Sequence, residues 1–120
     1  TRGAGTRVEL RCPDPAANPY LVLAVCLEAG LDGIRNQITP PDAVTENVFE
    51  MQLPQRAKLG IESLPGDLEQ AVEELEKDDY IKNVLGGHIT EKYLEAKKAE
   101  WADYRAQVTE WEIEKYLYKI

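Results

Sequence analysis

Thr6-Arg7-Val8-Glu9-Leu10-Arg11-Cys12-Pro13-Asp14-Pro15-Ala16-Ala17-Asn18-Pro19-Tyr20 is the stretch from which the fold is read. Its first six residues alternate in character. In an extended segment that alternation places Thr6, Val8 and Leu10 on one face and Arg7, Glu9 and Arg11 on the other. The expectation is a β-strand over 6–11 with one charged face. Pro13 and Pro15 end it, because proline removes ladder donors and biases its predecessor away from the helical region. Asn18 suits a helix N-cap and Pro19 the first helical position, after which Tyr20 to Ala29 is apolar almost all round. Such a helix is buried on most sides, within this chain or within a longer parent protein.

Downstream, Gly30, Gly33 and Thr39-Pro40-Pro41 mark the end of that helix and open a weakly periodic connection over 37–53. A short helical turn fits 54–59. Asp67-x-x-Gln70 has the form of a capping box, followed by Leu68, Ala71, Val72 and Leu75 at helical spacing. A second short helix over 80–85 turns Ile81, Val84 and Leu85 inward and stops at Gly86-Gly87. The longest helix is expected over 89–107, on Ile89, Tyr93, Ala96, Trp101, Tyr104 and Val108, with His88 at its start. Thr109-x-x-Glu112 is another capping box, and Ile113, Tyr116, Leu117 and Ile120 follow as an apolar stripe that wants a partner. The fold class is therefore α+β and mostly α-helical: one N-terminal strand, then about five helices over 16–120.

With 120 residues, 43% hydrophobic and 30% charged, the chain has the composition of a folded domain. Its net charge of -8 excludes nucleic-acid and anionic-membrane surfaces, which need clustered cations. The apolar run over 20–27 is too short for a membrane span, which takes roughly 20 residues. Cys12 and Cys26 show no metal or disulfide spacing and read as buried free thiols of a cytoplasmic protein. Nothing in Thr1 to Gly5 resembles a signal peptide, and the start reads as a cut inside a longer protein.

The charged face is the sharpest chemical feature. A carboxylate between two guanidinium groups can hold a divalent cation while the arginines grip phosphate or carboxylate oxygens. A solvated strand face with cross-strand ion pairs has the same pattern, and alternation alone does not choose between them.

The residues around that face extend the pattern. Arg7-x-Glu9-x-Arg11-x-Pro13-Asp14-Pro15-Ala16-Ala17-Asn18-Pro19-Tyr20 resembles the C-terminal signature of type I glutamine synthetases. The likeness continues through Ala29-Gly30-Leu31-Asp32-Gly33-Ile34, Gly60-Ile61-Glu62-Ser63-Leu64-Pro65, residues 95–101 and residues 111–116. The resemblance implies that the chain is the C-terminal portion of a catalytic domain that joins ammonia to glutamate through a γ-glutamyl phosphate, with ATP and Mg2+ or Mn2+. It implies that Glu9 is a metal ligand on the nucleotide side, that Arg7 contacts the ATP phosphates, and that Arg11 steadies glutamate and the phosphoryl group in transfer. Those types suit phosphoryl transfer, which rests on positioning and charge stabilisation. It further implies a dodecameric parent of two six-membered rings, with a dimer or larger assembly for the chain by itself, and no turnover from the chain alone. Phe49 stands where some members carry an adenylylated tyrosine, which points to the subgroup without that modification. The reading from another class is an autonomous helical interaction module that binds partners through its terminal stripe.

Overall fold

The computed structural model describes residues 3–119; Thr1 and Ile120, which enter the expected start and the terminal stripe, lie outside them. The fold is assembled from local helix signals. Asn18 Oδ1 accepts from the Tyr20 and Leu21 amides at 3.0 and 3.4 Å and opens α1, Pro19–Arg35. Asn47 caps a 3-10 turn, Val48–Glu50, in the same way, and α2 follows over Leu53–Lys58. Asp67 caps α3, Leu68–Lys77, and Asp78 caps α4, Asp79–Leu85, through Ile81 N at 2.9 Å. Gly86, at φ 78°, turns the chain into α5, Gly87–Arg105, the longest helix among the described residues. Thr109 and Glu112 close a reciprocal capping box on the one-turn α6, Glu110–Glu112, which runs into a π-helical turn over Ile113–Leu117.

Two sequence expectations need correction. No strand forms among the described residues, so the class is all-α rather than α+β. Alternation makes a strand only when a neighbouring segment supplies ladder partners, and among the described residues no segment pairs with 6–11. The Thr6 amide instead turns back to the Gly3 carbonyl at 3.0 Å, and Val8 is 98% exposed. The second correction concerns the end of α1, which runs through both Gly30 and Gly33 to Arg35. It stops where Gln37 enters the left-handed region at φ 51°, with Gln37 N bonded to the Ile34 carbonyl and Ile38 N to the Gly33 carbonyl. That is a Schellman ending. α2 ends identically, with Gly60 at φ 66° in the equivalent place and Ile61 N on the Arg56 carbonyl.

The chain divides into two compact units, one up to Leu64 and one from Pro65. In the first, α1 buries no residue completely, and Tyr20, Leu23, Leu27 and Ile34 are largely exposed. Of the two forms of the expectation, burial within the chain or burial in the longer protein, the first is not met. Met51 is its buried side chain, and Arg56 Nε donates to the Met51 carbonyl at 3.1 Å.

In the second, α3, α4 and α5 pack on one another around Val72, with Leu68, Leu75, Ile81, Val84, Leu85 and Tyr93 half-buried. Thr90 is buried and its hydroxyl donates to the Lys82 carbonyl at 3.1 Å, tying α5 to α4. The Lys98–Glu76 ion pair, at 2.5 Å, bridges α5 and α3. Cys12 and Cys26 are free thiols as expected, but Cys12 is exposed and Cys26 half-buried. Among the described residues no helix is long and apolar enough to cross a membrane.

Candidate functional site

Two turns frame the segment that carries Arg7, Glu9 and Arg11. Before it, the Thr6–Gly3 bond closes a turn that Gly3 permits at φ 89°. After it, Asp14 Oδ1 accepts from Ala16 N at 2.7 Å while its carbonyl accepts from Ala17 N at 2.9 Å, delivering the chain to the Asn18 cap of α1. The side chain of Asp14 thus makes the bend that the two flanking prolines permit but do not shape.

The three charged side chains converge. Glu9 Oε2 accepts from Arg7 Nη2 at 3.1 Å, and Glu9 Oε1 accepts from Arg11 Nε at 2.6 Å, with Arg11 Nη2 2.5 Å from the same oxygen. Arg7 Nη1 also donates to the Gly5 carbonyl at 3.4 Å, which steadies the far side of its guanidinium. Both carboxylate oxygens are therefore engaged, one by each arginine, and the cluster carries a net charge of +1. All three side chains are substantially solvent-accessible, at 65%, 43% and 85% for Arg7, Glu9 and Arg11. At that exposure each pair contributes about 0–1 kcal/mol, so the arrangement is held loosely enough to open.

Chemically, the cluster offers two planar cationic forks suited to phosphate or carboxylate oxygens and one carboxylate suited to a cation. For an anion the fit is direct. For a divalent metal it is not: among the described residues no three His, Cys, Asp or Glu side chains gather at one place, and a hard cation needs several oxygens. Glu9 is at most one ligand of a larger set.

A second concavity escaped sequence reasoning. It lies between α3 and α5, lined by Val72, Glu73, Lys98 and Trp101. The Trp101 indole N–H is buried there without an acceptor, and the ring stacks on Tyr104 at 5.8 Å between centroids. Glu76 and Lys98 stand 22 positions apart, so no local spacing rule could have paired them. His88 lies in the first turn of α5, as expected. Trp111 and Tyr116 meet edge to face at 5.7 Å rather than filling a core.

A charged Arg-x-Glu-x-Arg clamp leading through a capped turn into an apolar helix belongs to a known class. Residues 1–116 match the family described as glutamine synthetase, catalytic domain, and the chain belongs to that family. Among its relatives, a glutamine synthetase of Clostridium saccharobutylicum is 52% identical over 118 residues, which is 98% of this chain and 27% of that protein. Glutamine synthetases of Thermotoga maritima and Methanocaldococcus jannaschii are 53% and 51% identical, with 98% and 97% of the chain covered. The chain thus spans about a quarter of the length of these relatives.

Proposed function

We propose that this chain supplies the Arg7–Glu9–Arg11 part of the active site of an ATP-dependent ligase that joins ammonia to glutamate by way of a γ-glutamyl phosphate. The observation that carries the reading is the convergence of two guanidinium groups on one carboxylate, at 3.1 and 2.6 Å, within a chain of this family. Arg7 contacts the ATP phosphates. Arg11 holds the glutamate carboxylate and stabilises charge on the phosphoryl group as it moves. Glu9 gives one carboxylate to the Mg2+ or Mn2+ that accompanies the nucleotide, and that cation, when bound, neutralises phosphate charge. The chain alone, with one carboxylate gathered at this site, turns nothing over.

The same reading includes homo-oligomeric assembly, up to the dodecamer for the whole enzyme, in the cytoplasm. Its support is the apolar surface left open on α1 by Leu23 and Leu27, and after α6 by Tyr116 and Leu117. Regulation by adenylylation at position 49 is excluded by chemistry, since phenylalanine has no hydroxyl; Phe49 is 90% exposed on its 3-10 turn.

The test is a chimera in which this chain replaces the matching segment of the Thermotoga maritima relative. The chimera forms glutamine from glutamate, ammonia and ATP. Arg11→Ala lowers its kcat about a hundredfold, the usual cost of roughly 3 kcal/mol for a lost charge-stabilising donor. Near-normal turnover in that variant removes Arg11 from the site.

A further inference from the structure

Glu9 occupies the place that an incoming anion needs. Its Oε2 sits on Arg7 Nη2 and its Oε1 on Arg11 Nε, so one edge of each guanidinium that would grip phosphate oxygens is already turned to a carboxylate of the same segment. We infer that Glu9 is an internal pseudo-ligand: it holds the anion site closed until a polyphosphate displaces it. The inference rests on the anion-binding reading above and specifies how that site is gated.

Geometry and magnitude support it. The three side chains lie two residues apart along one short segment, so displacement needs side-chain rotation only, with no rearrangement of a core. Arg7 keeps its second contact, to the Gly5 carbonyl, which leaves its guanidinium placed when Glu9 departs. The exposure of all three groups keeps the closed state weak, so a polyanion bearing several charges outcompetes a single carboxylate.

The experiment separates this gating from simple charge repulsion. The whole chain is titrated with inorganic tripolyphosphate in metal-free buffer, and the Nε–Hε signals of Arg7 and Arg11 are followed by NMR in the wild type, Glu9→Gln and Glu9→Asp. Aspartate keeps the charge but is one methylene shorter and cannot span both guanidinium groups. The expected result is that Glu9→Gln and Glu9→Asp both bind tripolyphosphate about three- to thirtyfold more tightly than the wild type, the range given by two exposed pairs of ordinary strength. Wild-type affinity in Glu9→Asp, with tightening only in Glu9→Gln, overturns the inference in favour of plain repulsion. Equal affinity in all three overturns it while leaving the anion site in place. No arginine response to tripolyphosphate in any of the three overturns both the inference and the assignment of Arg7 to phosphate.

Discussion

α1 and α5 are nearly equal in length, 17 and 19 residues, and both follow clear start signals, yet only α5 takes part in a core. α5 shares Val72 with α3, sends Thr90 into α4 and carries the Lys98–Glu76 bridge. α1 has a stronger apolar face and buries none of its residues completely. The difference shows that caps and propensity decide where helices begin, while burial depends on which other segments are present to pack against. The charged clamp belongs to the first region, held by contacts two residues apart in sequence. The candidate site of this chain therefore sits on its least self-sufficient part.

The sharpest way to break the contrast is a pair of matched substitutions. Val72→Asp, which places an unpaired charge at the buried centre of the second unit, costs about 3–5 kcal/mol in chemical denaturation followed by tryptophan fluorescence. Leu23→Asp on exposed α1 costs within about 0.5 kcal/mol beyond helix propensity, read by circular dichroism. Equal costs mean that α1 is buried after all.

Next in size is Thr90→Val. It removes the hydroxyl bond that ties α5 to the Lys82 carbonyl, which keeps its bond from Gly86 N at 3.0 Å, and costs about 0.5–1.5 kcal/mol in the same denaturation experiment. A loss confined to a few tenths shows that water reaches the carbonyl and that the joint is not sealed.

The two Schellman endings offer a smaller, signed test. Gln37→Gly relieves a left-handed non-glycine residue and stabilises the chain by about 1 kcal/mol, whereas Gly60→Ala introduces the same strain and destabilises it by about as much. Thermal melts of the two variants moving in the same direction contradict that reading.

The smallest effect concerns the last capping box. Hydrogen bonds from the Thr109 amide and hydroxyl hold the Glu112 carboxyl below its ordinary value of 4.5. Because the folded value is the lower one, the box contributes stability that is fully present above the ordinary value and is lost as pH falls through the lowered one. Far-UV circular dichroism should show the 109–117 turns loosening under acid, and Glu112→Gln should flatten that dependence.

How much of this was legible in the sequence follows from the range of each interaction. Asn18, Thr109 and their partners lie within three positions of one another, and cap chemistry reads directly from such neighbours, whereas the Asp78 cap of α4 was not read. The Asp67 box was half legible: its aspartate caps Gln70 N, but Gln70 Oε1 turns to Gly66 N instead of the cap amide. The strand was misread because a period of two describes a chain's faces and says nothing about whether a partner strand is there. The end of α1 was misread because glycine was taken for a stop, while the backbone used Gln37. At the candidate site, alternation foretold that Arg7, Glu9 and Arg11 would face one way. That both oxygens of Glu9 would be taken up, one by each arginine, depends on side-chain rotamers that no spacing encodes.

Residue-resolved hydrogen exchange on the whole chain tests the contrast between the two regions most directly. The account predicts that amides of α5 near Thr90 and of α3 near Val72 exchange slowest, through opening of the shared core, while those of α1 exchange orders of magnitude faster despite its greater apolarity. Equal protection along α1 and α5 would contradict it, because α1 would then possess a core of its own.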